Sequence, residues 1–563
     1  TTFGVAATGV EGLKTIVPAA GIASWYDYFN SQGTQFGNAP YSDLSWLSLY
    51  VSTRMLDQDD WAGIWQNYSN YINQLNKDQY AHDRNYSDVW KERDYTLHPE
   101  NLKTSALIVH GLNDDNVKTK HFELMYDALK KAGQDVKLYL HQGDHVYPAA
   151  MSRGYGITAN GQDFYDLLNT WLTHYLYGVD NHVESLPAVL AQNNYDPSKW
   201  TSYDNWKSSQ RLFLNASSKR LEETISSDYA AAGVEIANRN ETVSKASSKA
   251  NLTFVSDVTE DTTIKGHIPV HFKAALAKGQ GKNFQINALL VDVADEDFDV
   301  VGNGSVKQDK TADGFWMGSN LSNLSVAEYE TIKTKYKVIA KGWINLANPE
   351  SGYDSASSRA SIEPKVGEYH DYTVYLQPNL YTVKKGHKLA LVFNTYDPSD
   401  LTVEHPYEVT FKTDSIQAAI PIVEKTRAQK AAYVPSATDT DYANLPEVEG
   451  AALVAPEVHY KEEYRLPSPE SFVQPSQTLP EKEEQMQTGS ARQEQSHLTL
   501  AVSYGPQFIS QGLAEVPQAA TPAVGGEQAD HTLPQTGNKD HALGLLGVIT
   551  LTASSLIFWR KKR

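Results

Sequence analysis

The sequence predicts an α/β domain with a helical insertion, followed by a β-sandwich of jelly-roll type. Three observations carry this. The chain has 563 residues, more than one hydrophobic core holds and enough for two or three domains. Between 101 and 178, short apolar runs alternate with amphipathic helical patterns, as in a parallel sheet packed by helices. From 183 to 425 the texture changes to alternating strands with turn residues between them.

The elements follow in order. Ala106 to Val109 is a short apolar run suited to a buried parallel strand. Phe122, Met125, Leu129 and Ala132 fall on one helical face, and Gly133 follows as a stop. Val136 to Leu140 reads as a second strand. Phe164, Leu167, Leu168, Trp171 and Tyr175 mark a second amphipathic helix, closed by Gly178. The α/β domain is thus expected over 1–30 and 96–182. Residues 31–95 interrupt it with aromatic-rich helical patterns and no strand; the simplest reading is a cap over a site, the alternative an extra packing layer. "HIPVHFKAAL", "FQINALLVDVAD", "YHDYTVYLQP" and "HKLALVFNTYD" read as sandwich strands within 183–425. Residues 426–532, rich in Pro, Glu, Gln, Ala and Ser, read as a disordered stalk, which a more apolar stretch near 499–509 interrupts.

Composition narrows the function. A formal net charge of −19 argues against a nucleic-acid partner, which needs clustered Lys and Arg. With no cysteine, a disulfide, a cysteine-based zinc site and a thiol nucleophile are all excluded. "DVADEDFDV" (292–300) lacks the glycine and closing glutamate of an EF-hand and reads as a solvated turn. No metal and no cofactor is expected, and nothing in the sequence bears on oligomeric state.

The C-terminus has three parts in order. Leu533, Pro534, Gln535, Thr536 and Gly537 come first. An apolar run over 542–559 follows, long enough to cross a bilayer core, and Arg560 to Arg563 closes the chain with four basic residues. The set, 533–563, resembles the sorting signal that Gram-positive sortases cut between Thr and Gly. It implies sortase and peptidoglycan as partners and covalent attachment to the cell wall. Export also requires a signal peptide. The chain begins "TTFGVAATGVEGLK", without initiator Met, basic n-region or apolar h-region, so its first residue is expected not to be the natural start.

"VHGLNDDNV" (109–117) and "HQGDHVYP" (141–148) offer an aspartate and then a histidine, each just past the C-terminal end of a predicted strand, where α/β sheets place their active sites. A buried acid that orients a histidine is two thirds of a catalytic triad. The third member, a serine on a G-x-S-x-G turn upstream, is nowhere in the sequence; Ser24 and Ser305 have neighbouring glycines but the wrong spacing.

"GVEGLKTIV" (9–17), "GIASWYDYF" (21–29), "HGLNDDNVK" (110–118) and "QGDHVYP" (142–148) resemble, in order, successive blocks of Xaa-Pro dipeptidyl-peptidases, serine peptidases of the α/β-hydrolase fold related to bacterial cocaine esterase. The likeness covers roughly 1–425. It implies release of Xaa-Pro dipeptides from peptides with Pro, or Ala, as second residue. It implies Asp114 as the acid, three residues after Gly111, with Asp115 at a variable, solvated position. It implies His145 as the base, with His110, His121 and His141 structural or exposed. Trp25 and Tyr28 would line the proline pocket, with Asn116 at its rim; the alternative for both aromatics is a place in the core. The family's nucleophile elbow directly precedes the segment that opens this chain, so the serine is expected upstream of Thr1, and the chain alone is expected to be inactive. Two other readings stand beside this one: an esterase or amide acylase of the same superfamily, and a non-catalytic surface adhesin.

Overall fold

The computed structural model describes residues 2–36, 43–51, 61–143, 145, 148–150, 155–156, 158–159, 162–228, 246–306, 329–395 and 405–448. All of them fall in one compact unit. Most of the predicted stalk, and the whole of 533–563 with its 542–559 span, lie outside the described residues. Among the described residues no helix is long and apolar enough to cross a membrane.

The first layer is a five-stranded sheet in the order Thr15–Ile16, Ser105–Gly111, Val136–His141, Val189–Gln192, Trp200–Tyr203. The first four strands are parallel and the last is antiparallel. The Ser105–Gly111 strand is buried at every position, as a central parallel strand covered on both faces must be. Its residues alternate between two cores. Ala106 and Ile108 pack with Phe3 of α1 (Thr2–Ala7) and with Phe122, Met125 and Leu129 of α6 (Lys120–Lys131). Leu107 and Val109 pack with Phe164, Leu167 and Trp171 of α7 (Phe164–Tyr177). The period of two in the strand and of 3.6 in the helices bury the same surface. Both helices stop where expected. Gly133 and Gly178 take φ of +74° and +70°, and their N–H groups turn back to the last helical carbonyls.

Between these elements lie α2 (Trp25–Phe29), α3 (Leu44–Val51), α4 (Trp61–Tyr80) and α5 (Asp88–Lys91). The region is mostly helical, but it opens differently from the prediction. Asn30–Ser31 and Thr34–Gln35 form a tight hairpin instead of helix. Gln32, at φ +42°, and Gly33, at φ +79°, make its turn. The turn inserts among β-rich residues distant in sequence, a placement that no local pattern encodes.

The second layer is a ten-stranded sheet. Its path runs Tyr329–Asn345, Gln285–Val306, Lys388–Asn394, Asn251–Asp257, Arg427–Tyr433, Gln210–Ser217, Glu408–Ile422, Thr262–Lys278, His370–Val383, with Glu222–Ser226 added beside Glu408–Ile422. The strands at the two ends of the path lie against each other, so the sheet folds over one continuous core that includes Phe254, Phe272, Phe393 and Phe411.

Three sequence boundaries shift. Residues 189–203 join the α/β sheet and not the sandwich, because Val189–Gln192 pairs in parallel with Val136–His141. Residues 427–433, assigned to the stalk, are a strand between Gln210–Ser217 and Asn251–Asp257; only Ala431 and Tyr433 are buried in it, too few to betray a strand. The acidic 292–300 run lies inside the Gln285–Val306 strand, not in a solvated turn. Asp292 is fully buried, accepts from Tyr381 Oη at 2.9 Å and lies 2.8 Å from His387 Nδ1.

The hairpin turn yields a stability prediction. A Cβ on Gly33 would stand 1.8 Å from Asn348 Oδ1, whereas one on Gly386, at φ +90°, would meet nothing within 4 Å. Both Gly→Ala changes incur left-handed backbone strain of about 1–2 kcal/mol. Gly33→Ala also displaces a buried amide that bonds Asn85 Oδ1 and Ala360 O. Urea unfolding should show Gly33→Ala clearly less stable than Gly386→Ala; equal losses would contradict this packing.

Candidate active site

The loop after the Ser105–Gly111 strand carries Asp114, and the loop after Val136–His141 carries His145. The two strands are adjacent and parallel, so both loops leave the same edge of the sheet. They are also tied to each other. Leu112 N–H donates to His141 O at 2.7 Å, Asn113 N–H to Gly143 O at 3.1 Å, and Asn113 Nδ2 to Gln142 O at 2.7 Å. Gln142 in turn donates two hydrogen bonds to Gln192 of the next strand, from its N–H to Oε1 and from Nε2 to the carbonyl. Asn113, Gln142 and Gln192 are scaffold residues that the sequence reading missed. The first two sit inside the quoted motifs; Gln192 gave no signal.

Asp114 Oδ2 lies 3.0 Å from His145 Nδ1. Its other oxygen accepts the Asn116 and Val117 N–H groups, both at 2.9 Å. The Asp114 side chain is wholly buried, while His145 keeps 23% of its side chain exposed. Burial pushes the Asp114 carboxyl upward, but His145, with His110 and the Asn116 N–H, outweighs it and holds the group below the usual carboxylate range. Asp115 points elsewhere: its side chain is about half exposed, and its Oδ1 lies 3.5 Å from Lys341 Nζ. Of the two aspartates, only Asp114 reaches a histidine in this way.

His110, His121 and His141 are enclosed. His110 Nε2 lies 2.8 Å from Val117 O, His121 Nδ1 accepts from Ala23 N–H, and His141 Nδ1 accepts from Gly143 N–H. Burial lowers His110 and takes His121 down to about 3, so both are neutral at pH 7.

Trp25, Tyr28 and Asn116 come together. Ser24 Oγ caps α2 by accepting from Asp27 N–H. One turn of helix sets the Trp25 and Tyr28 rings edge to face at 5.7 Å. Tyr28 is buried to 3% and donates its hydroxyl to Asn116 Oδ1 at 2.8 Å. Trp25 is half-buried, with its indole N–H on Tyr95 Oη at 2.8 Å. Tyr28 is therefore a core aromatic by burial that also touches the acid loop, and Trp25 presents a partly open face. The sorting-signal residues Leu533 to Gly537 lie outside the described residues. Among those described, the one acidic group spaced for a metal is Asp180, His182 and Glu184, fully exposed and built from residues the sequence reading did not select.

A pH test follows from Asp114. A carboxyl with a depressed folded-state pKa contributes stability above its unfolded value, near 3.9, and loses it as pH falls through the lower folded value. The stability difference between parent and Asp114→Asn, by urea unfolding, should shrink as pH falls below about 4, where the Asp114 carboxylate takes up a proton. A difference that keeps growing below about pH 4 would contradict the ionised assignment.

Residues 1–147 match the family model described as X-Pro dipeptidyl-peptidase (S15 family), and 181–429 match that of the X-Pro dipeptidyl-peptidase C-terminal non-catalytic domain. The chain is 30% identical over 435 residues to an Xaa-Pro dipeptidyl-peptidase of Ligilactobacillus salivarius, covering 73% of this chain and 51% of that protein. It is 30% identical over 420 residues to the enzyme of the same name from Lactiplantibacillus plantarum, covering 70% and 49%. The chain thus spans about half the length of the curated relatives it matches. Among solved structures, a CocE/NonD family hydrolase from Staphylococcus aureus aligns over 75% of this chain and 69% of its own, at 14% identity and a TM-score of 0.49. Two modules of one family, matched in order over 1–147 and 181–429, place this chain in the X-Pro dipeptidyl-peptidase (S15) family.

Proposed function

We propose that the chain is the acid- and base-bearing part of a serine-type Xaa-Pro dipeptidyl-peptidase. The observation that carries this is the sealed Asp114 carboxylate 3.0 Å from His145 Nδ1, on adjacent loops of a domain with this family's match. Asp114 accepts the Nδ1 proton and so fixes the tautomer in which Nε2 is the basic atom. Nε2 takes the serine proton during attack on the peptide carbonyl and returns it to the leaving amine. The carboxylate stabilises the imidazolium between those steps without itself being protonated. No serine of 1–563 stands in a G-x-S-x-G context, and the chain spans about half the length of the curated relatives it matches, which supports a nucleophile outside these residues.

The substrate pocket is assigned to Trp25, Tyr28 and Asn116. A proline ring is apolar and brings no N–H donor, so aromatic walls suit it. Asn116, whose Oδ1 accepts from Tyr28, keeps its amide hydrogens for a substrate carbonyl. The experiment is steady-state kinetics on a fluorogenic Gly-Pro amide beside a short aryl ester. Residues 1–563 alone should show no turnover above background. In the intact gene product, His145→Ala should lower kcat by several orders of magnitude and Asp114→Asn by on the order of 10³ to 10⁴. Asp115→Asn should change little. Trp25→Ala should lower kcat/KM for Gly-Pro by about 2 to 3 kcal/mol, and for a Gly-Ala amide by less. Turnover of the ester alone would favour the esterase reading, and no turnover of either an adhesin. Equal damage from Asp115→Asn would refute the acid assignment.

We also place the protein on the Gram-positive cell wall, on the ordered set of Leu533 to Gly537, apolar 542–559 and four terminal basic residues. In a sortase-bearing host, Thr536→Ala or deletion of 533–537 should shift the protein from the wall fraction to membrane or medium. Unchanged wall attachment would refute the address.

A further inference from the structure

We propose that the β-rich domain sets the position of α2, and through it the spacing of Trp25 and Tyr28, by sharing the buried Asp27 carboxylate between Lys120 and Ser355. Asp27 takes no part in the proposed chemistry, yet a carboxylate 4% exposed in a five-residue helix must be held by something. One oxygen accepts from Lys120 Nζ at 2.6 Å, and the other from the Ser355 hydroxyl, a residue of the β-rich domain. Burial alone would raise the carboxyl; Lys120 and Ser355 hold it low instead.

Neither partner can yield easily. Lys120 opens α6, and its backbone N–H donates at 3.0 Å to Gln377 Oε1 of the His370–Val383 strand. Its Nζ also lies 4.7 Å over the Tyr353 ring. Tyr353 donates to Glu123 Oε2 at 2.6 Å and stacks at 3.8 Å on His267, whose Nδ1 meets the same carboxylate at 3.0 Å. Lys120 is thus fixed on one side by α6 and on the other by Gln377 of one strand of the β-rich domain and by the Tyr353 ring, which rests on His267 of another.

The C-terminal end of α2 is held from the same direction. The chain runs directly into the hairpin, where Ser31 Oγ donates to Trp343 O at 3.1 Å. Gln32 Nε2 donates to Thr373 O at 2.8 Å, and Gln32 Oε1 accepts from Tyr375 N–H at 3.1 Å. The N-terminal end is held by its own domain, through Ala23 on His121 and Trp25 N–H on Arg93 O. A short helix fixed at its start by one domain, at its middle by both and at its end by the other reports any displacement between them. Ser355 and Asp27 are therefore positioning residues for the pocket wall.

This inference rests on the proposed pocket, so the test separates the two. The protein is the intact gene product containing 1–563, labelled with ¹⁵N-tryptophan. The Trp25 indole resonance, assigned by its loss in Trp25→Phe, is read in Ser355→Ala and Asp27→Asn, along with kcat and KM for Gly-Pro and Gly-Ala amides. The expected result is a shifted Trp25 resonance in both variants. Selectivity for Pro over Ala should fall about threefold or more, mainly through KM for the Pro substrate, since the acid and base are untouched. Should Asp27→Asn fail to fold, with a buried ammonium left behind, Asp27→Asn combined with Lys120→Met takes its place. An unshifted Trp25 resonance in folded Ser355→Ala would overturn the inference. A shifted resonance with unchanged selectivity would leave the brace standing and overturn the pocket assignment beneath it.

Discussion

The burial of one carboxylate constrains the whole site. Asp114 sits beyond the reach of water, and an ionised carboxylate there is tolerable only if its oxygens are fully engaged. One oxygen takes two backbone N–H groups, and these require the 114–117 segment to curl tightly around it. The other faces His145 at 3.0 Å and His110 at 3.7 Å. The tight curl also sets Asn116 against Tyr28 and directs Asp115 outward to Lys341. One polar demand thus arranges Asp114, His145, Asn116 and Asp115 together.

A second set of buried polar groups joins the domains. Lys120 of α6 pairs with Asp27 of α2, which also accepts from Ser355 of the β-rich domain, and Glu123 of α6 meets His267 and Tyr353 of that domain. Such pairs seldom add stability relative to a well-packed apolar interface, but losing one partner strands the other, at about 3–5 kcal/mol. They act instead as a register. An apolar interface tolerates sliding, whereas hydrogen-bonded polar groups at 2.6 to 3.0 Å fit in one relative placement. Trp206 adds to this, with its ring against Phe122 at 5.1 Å and its N–H on Glu123 at 3.0 Å, in the segment where the chain passes from one sheet to the other.

The sequence revealed whatever was local. The two helices with apolar stripes, the strands with two-residue alternation and the aspartate and histidine past strand ends were all readable, because side-chain period and turn chemistry are written in neighbouring residues. The choice of Asp114 over Asp115 came from the spacing shared with a family, and the distances to His145 and Lys341 now give it a physical reason. What stayed hidden depended on pairing across long separations. Val189–Gln192 looks like any short strand until its partner is known, and that partner, Val136–His141, lies about fifty residues earlier, in the α/β sheet. Arg427–Tyr433 is too polar to stand out, and is a strand only because two others leave a gap for it. Asp292 reads as one of several acids in a surface run, although Tyr381 and His387 enclose it.

Asp27 belongs with the hidden residues, for a reason that bears on function. In "SWYDYF" the aromatics draw the eye and the aspartate between them reads as the solvated face of a short helix. The fold reverses that pattern, burying the charge and leaving part of Trp25 open. A helix of five residues has too few internal hydrogen bonds to hold itself in place. Its geometry must come from tertiary partners: most of those on its buried face belong to the helical insertion and to α6, and Ser355 and Ala356 come from the domain that carries neither Asp114 nor His145. In this chain that second domain is therefore part of what shapes the surroundings of Asp114 and His145.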